Sequence, residues 1–215
     1  MSATPTLCVL ISGNGSNLQA IIDRINDGTL HARIGCVISN RPDAYGLERA
    51  KEAGIEAHCL DHHDYADRES YDEALARLIS QYDPQCVVLA GFMRILTADF
   101  VNSLRGKLVN IHPSLLPKYK GLNTHQRAID NGDKEHGVSV HFVTPELDGG
   151  PVIIQSKVPV FEGDTAEELA SRVQEQERQL YPYVLNWICS GRLAMKENKA
   201  VLDDEELPVS GFASD

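Results

Sequence analysis

The chain has 215 residues, of which 42% are hydrophobic and 24% charged, and a formal net charge of −11. That balance describes a soluble globular protein long enough to bury a sizeable core. The acidic excess excludes a non-specific nucleic-acid binder, which needs a basic face. Leu7-Cys8-Val9-Leu10-Ile11-Ser12 reads as a first strand, buried on both faces because it does not alternate. Ser16 to Asp27 has helical periodicity through Leu18, Ile21, Ile22 and Ile25. Ile34 to Ile38 is a second strand, and Leu47 to Ala53 a helix that Gly54 ends. Arg68 to Tyr82 is a helix, Cys86 to Ala90 a central strand, and Thr97 the start of another helix. Lys107 to Ile111 forms the next strand. Gly137 to Val143 and Val152 to Gln155, parted by Asp148-Gly149-Gly150-Pro151, read as a hairpin-like antiparallel extension. Thr165-Ala166-Glu167-Glu168 is a capping box opening a helix to about Trp187, with a kink expected at Pro182.

Beyond Gly191 a short strand pair or loose tail is expected, with Asp203 to Glu206 a solvated tail segment. The β–α alternation predicts an α/β fold, a Rossmann-like, mostly parallel twisted sheet with helices on both faces and an antiparallel C-terminal extension. One domain over 1–215 is expected, with halves at about 1–105 and 106–190 and a tail at 191–215. Five cysteines, an odd number without a Cys-x-x-Cys pair, suggest neither a disulfide framework nor a zinc site, and suit a reducing cytoplasm. The first residues lack a basic leader and precede only a short apolar run, so no signal peptide or membrane span is expected.

Asn110-Ile111-His112-Pro113 carries the strongest chemical signal. Side chains alternate along a strand, so Asn110 and His112 share a face at its carboxyl end. Pro113 extends His112 and stops the strand. Ligands of open α/β sheets bind at that edge, and an amide donor beside an imidazole suits a developing oxyanion. The loop Gly13-Asn14-Gly15-Ser16-Asn17 presents N–H groups at a helix start and predicts phosphate binding; the bland alternative is a tight turn with Ser16 as N-cap. A dinucleotide reading is weakened by Leu18 at the third glycine position, although Arg41 keeps an NADP-dependent reductase in view.

Asp148 reads equally as a turn aspartate or as a carboxylate that sets a histidine's tautomer. Glu177 falls within the stripe Leu169, Val173, Leu180, Val184 and Trp187, and either clamps a polar ligand group or reaches past the stripe to solvent. Gly91 to Leu96 can wall a planar heterocycle with Met93, Ile95 and Leu96, or can simply lead into a helix. His62 and His63 sit in a polar run read as a loop, and no metal role is assigned to them or to His125, His136 and His141.

Leu10 to Ala20, Leu89 to Leu96, Asn110 to Pro117 and Glu146 to Pro151 together resemble the phosphoribosylglycinamide formyltransferases, the folate-dependent transformylases of purine synthesis. The match runs in order over essentially the whole chain. The resemblance implies the formyltransferase fold, with Asn110, His112 and Asp148 as the catalytic set and Gly13, Asn14, Gly15, Ser16 and Asn17 on the substrate phosphate. It implies that Arg68, Met93, Arg94, Ile95, Leu96, Asn110 and the segment Thr144, Pro145, Glu146, Leu147 and Asp148 contact 10-formyltetrahydrofolate. Glu177, with Gln174, would lie near the acceptor, glycinamide ribonucleotide. The expected partners are these two small molecules, without metal, nucleic acid or membrane, for a cytoplasmic monomer or weak homodimer. The alternatives are a formyltetrahydrofolate deformylase-like hydrolase, a non-catalytic module that binds a phosphorylated metabolite, and the reductase.

Overall fold

The apolar run Thr6–Ile11 forms β1, buried at every residue, in a computed structural model that describes residues 2–213. Its alternate side chains feed two core layers. Leu7, Val9 and Ile11 join one layer, while Cys8 and Leu10 join the other. Helix α1 (Ser16–Asn26) packs Leu18, Ile21 and Ile22 into the first layer. Strand β2 (Arg33–Ser39), helix α2 (Tyr45–Glu52) and strand β3 (Ala57–Cys59) follow. Helix α3 (Arg68–Ser80) covers the opposite face with Tyr71, Leu75 and Ile79. Strand β4 (Cys86–Leu89), helix α4 (Ala98–Ser103), strand β5 (Leu108–His112) and helix α5 (Thr124–Asp130) come next. Then come β6 (Glu135–Phe142), β7 (Val152–Pro159) and helix α6 (Ala166–Cys189).

The seven strands form one sheet in the order β3-β2-β1-β4-β5-β6-β7. Pairings are parallel from β3 to β5 and antiparallel from β5 to β7. Helices cover both faces, as the alternation of apolar strands and amphipathic segments predicts. Strand order reverses between β1 and β4, and such a switch point opens a crevice at the carboxyl ends of the strands. The loops after β1 and β4 flank this crevice, and β5 is its next wall. Along β5, Val109 and Ile111 enter the first core layer and Leu108 the second. Asn110 and His112 therefore continue the second face past the end of its apolar packing.

Helix α6 begins with the expected capping box, in which Thr165 and Glu168 each bond the other's backbone N–H. It remains one helix through Pro182, where the sequence predicts a kink. Tyr181 anchors it: its buried hydroxyl donates to the carbonyls of Leu89 at 2.8 Å and Val109 at 3.1 Å. Beyond Gly191 the expected short strand pair is present, and a third strand joins it in place of a loose tail. Strands β8 (Leu193–Lys196), β9 (Lys199–Leu202) and β10 (Glu205–Glu206) make a second, antiparallel sheet. Asp203 pairs with Arg192, Asp204 with Lys196 and Glu206 with Lys199, while the acidic run stays exposed, as expected of a solvated segment. Phe212 then bridges to Ile154 of β7 and packs edge-on against Trp187. Among the described residues no helix is long and apolar enough to cross a membrane.

Candidate active site

Strand β5 delivers Asn110 and His112 to the carboxyl edge of the sheet. His112 is 7% exposed. Its Nε2 lies 2.9 Å from the backbone carbonyl of Tyr119. A carbonyl only accepts, so Nε2 carries a proton and Nδ1 is the nitrogen left for other work. Nδ1 lies 3.6 Å from Oδ1 of Asp148, and both side chains are buried. The other Asp148 oxygen accepts the Gly121 N–H at 2.8 Å. Asp148 sits at φ +49°, a left-handed conformation that aspartate tolerates better than most residues. The loop behind it runs tight against β6: a Cβ on Gly150 would lie 1.8 Å from the Phe142 carbonyl oxygen. Asp148 thus lies in a turn and presents its carboxylate toward the imidazole.

Asn110 is partly exposed, registered between Leu89 of β4 and His141 of β6. His141 is buried, and its Nε2 has no hydrogen-bond partner among the described residues. Burial holds its imidazole below the usual histidine range. Sequence reasoning assigned no role to His141, Tyr119 or Gly121. His141 was discoverable from the antiparallel register, but the last two act through backbone atoms and carry no side-chain signal.

The loop after β1 forms the neighbouring wall. Gly15, not Ser16, is the N-cap of α1; it lies at φ +78° with no side-chain cap, leaving first-turn N–H groups available to an anion. The Arg49 guanidinium donates to the backbone carbonyl and side-chain oxygen of Asn14, at 2.8 and 2.7 Å. A cation thus stands beside the loop despite the acidic chain. Ser12 ties the two crevice loops together: its hydroxyl donates to Asn40 Oδ1 at 2.5 Å and accepts the Met93 N–H at 2.8 Å.

Asn17 donates from Nδ2 to Glu177 at 3.2 Å. Its Oδ1 is buried without a partner among the described residues. Glu177 is buried rather than reaching solvent, and desolvation raises its pKa against the opposing pull of the Asn17 bond. Gln174 lies exposed one turn earlier on α6.

The loop after β4 exposes Met93 at 70% and Ile95 at 56%. Leu96 packs on the second core layer, and the Arg94 guanidinium lies over the Tyr71 ring at 4.3 Å, with its Nε buried and unpartnered. Arg68 is exposed at the start of α3. In the segment Thr144 to Asp148, Leu147 is exposed and Glu146 accepts from Lys120 Nζ at 2.8 Å. The predicted polar loop around His62 is a 3-10 turn, His62–Asp64, with Asp61 as its cap. Asp61, His62 and His63 come within 4.8 Å of one another. Asp61 Oδ1 accepts the His63 backbone N–H at 3.0 Å and lies 2.8 Å from His63 Nδ1.

Comparison with known proteins gives a consistent result. Residues 6–185 match the family model described as formyl transferase. The phosphoribosylglycinamide formyltransferase of Escherichia coli is 56% identical over 97% of this chain and 99% of its own. The human trifunctional purine biosynthetic protein adenosine-3 is 43% identical over 89% of this chain, which spans 19% of that longer protein. The solved phosphoribosylglycinamide formyltransferase of Coxiella burnetii, in complex with CHES, superposes with a TM-score of 0.93 at 50% identity, covering 97% of this chain and 98% of that one.

Proposed function

The chain belongs to the formyl transferase family, and from that premise we propose that it passes the formyl group of 10-formyltetrahydrofolate to the amine of glycinamide ribonucleotide in purine biosynthesis. The observation that carries this reading is the meeting of His112 Nδ1 and Asp148 Oδ1 at 3.6 Å, on the strand face that also bears Asn110. Hydrolysis and transfer share such a centre; the acceptor wall favours transfer. The first turn of α1 and Arg49 suit a phosphoryl group, and the unpartnered Asn17 oxygen suits a polar hydrogen on the acceptor. The exposed Met93 and Ile95 suit the flat ring of a folate. The five cysteines are free, which agrees with a cytoplasmic enzyme.

In the mechanism, the acceptor amine attacks the formyl carbon. A new N–C bond forms, the bond from that carbon to the folate N10 breaks, and the proton lost by the amine ends on N10. Asn110 donates from its carboxamide to the oxygen that becomes the oxyanion. Because Nε2 is committed to the Tyr119 carbonyl, His112 acts through Nδ1. Doubly protonated, it donates from Nδ1 to the same oxygen. Asp148 orients the ring and relays the amine proton through water. Binding of the distant phosphate at Gly13 to Asn17 holds the amine in line.

The test follows formyl-folate spectrophotometrically with and without glycinamide ribonucleotide. Acceptor-dependent loss is expected. Loss without acceptor would make the chain a hydrolase, and no loss under either condition would end the transferase reading.

A further inference from the structure

The turn after β5 makes two contacts that the catalytic set does not explain. The Tyr119 carbonyl takes His112 Nε2 at 2.9 Å, and two residues on the Gly121 N–H takes Asp148 Oδ2 at 2.8 Å. One three-residue segment therefore grips both members of the imidazole–carboxylate pair, each by the atom facing away from the other.

The grip has a cost. Tyr119 lies at φ +62°, a left-handed conformation unfavourable for a bulky residue. Such strain persists only where the surroundings over-determine it. Here the side chain supplies the restraint. The phenol donates to Asp133 Oδ2 at 2.6 Å and accepts from Asn131 Nδ2 at 2.7 Å. Lys118 holds the other Asp133 oxygen at 2.7 Å. The Arg127 guanidinium stacks over the Tyr119 ring at 5.0 Å and donates to the Lys120 carbonyl at 2.6 Å.

We propose that Tyr119, locked by Asp133, is a positioning residue: it fixes the strained turn whose backbone carbonyl keeps the proton of the neutral, resting His112 ring on Nε2, so that the second proton needed for donation goes to Nδ1, aimed at the reacting centre. This rests on the catalytic reading of His112. The Oη–Asp133 bond sets the Tyr119 peptide plane, and the peptide plane sets the tautomer. Without the phenol bond the turn relaxes, and either ring nitrogen can carry the proton.

The test uses the whole enzyme and three variants: Tyr119→Phe, Asp133→Leu and Asp133→Asn. The first two lose the bond; the third keeps an acceptor for the phenol. Tyr119→Phe and Asp133→Leu are expected to lower kcat roughly ten- to a hundredfold, the scale of a slightly misplaced group, with KM for both substrates within about twofold. Asp133→Asn is expected to keep most of the activity. Nitrogen-15 NMR of His112, assigned by its loss in His112→Asn, is expected to show one tautomer in the parent and Asp133→Asn and a mixture in Tyr119→Phe. Thermal melts establish that each variant is folded. An unchanged tautomer and kcat in folded Tyr119→Phe would overturn the proposal, as would a mixed tautomer already present in the parent. Full turnover in His112→Asn would instead remove the catalytic reading beneath it, a separately recognisable result.

Discussion

Two nitrogens of one imidazole have different tasks here because their surroundings differ. Nε2 meets a carbonyl, a fixed acceptor, and Nδ1 meets a carboxylate at a distance longer than a hydrogen bond. The gap leaves room for the carboxylate and a reacting group to share the Nδ1 position. Replacing Asp148 by Asn tests this cleanly. Asparagine tolerates the left-handed backbone at φ +49° and keeps an oxygen for the Gly121 N–H, so folding is expected to survive. What disappears is the negative charge facing Nδ1. Turnover is expected to fall by roughly 10³- to 10⁴-fold, as when a histidine loses its orienting carboxylate elsewhere. The KM for glycinamide ribonucleotide should stay within about twofold, since the proposed phosphate site lies on another loop. Steady-state kinetics at saturating folate measure both, and preserved turnover would remove Asp148 from the catalytic set.

The elements place these residues through close backbone approaches. The loop after β1 reaches the start of α2 so closely that a Cβ on Gly15 would lie 2.7 Å from Gly46 Cα, and Gly15 also holds φ +78°. Gly15→Ala therefore meets both a steric and a conformational penalty. A loss of about 1–3 kcal/mol in unfolding free energy is expected from a left-handed non-glycine residue of this kind, together with a raised KM for the phosphorylated acceptor and a smaller change in KM for the folate. Urea titration and kinetics check the two halves of that statement. The same loop illustrates what the sequence makes legible. Long apolar runs such as Cys86–Leu89 and the periodic helix Ala166–Cys189 announce themselves, and so does a polar pair at the end of an apolar strand. Strand β3, with three residues, and helix α5, with seven, are too short to display a period. The acidic run at Asp203 is solvated, as its composition suggests, but its ion pairs with Arg192, Lys196 and Lys199 emerge only in the folded chain. Glu177 is marked by its place in an apolar stripe, but its partner Asn17 lies 160 positions away and only the packing of α6 on α1 joins them. The clamp at Tyr119 is hidden for another reason, since it works through a carbonyl that every residue possesses.

At the scale of the whole molecule, the histidines held uncharged inside the second half make stability depend on pH. Burial lowers the pKa of His125, His136 and His141, and brings that of His136 to about 4. The His136 environment includes His125, His112 and Lys118, which oppose its protonation, and Asp133, which favours it; burial outweighs them all. An unfolded histidine takes up its proton near pH 6.5. Between that pH and about 4 the unfolded chain binds a proton that folded His136 refuses, so unfolding becomes easier as pH falls. The contribution is complete above the unfolded value and is lost as pH drops through the folded one. Glu177 acts with the opposite sign: its raised pKa keeps the proton on the folded side, so its contribution is complete below the unfolded carboxyl value and fades as pH rises. Urea midpoints measured from pH 7 to 4.5 should therefore decline in the parent and decline less in His136→Gln, where an uncharged amide can still meet His125. The loss of surface carboxylate charge at low pH affects both proteins alike, so the difference between their slopes isolates His136. Parallel curves would mean that His136 accepts its proton as readily inside the fold as outside it.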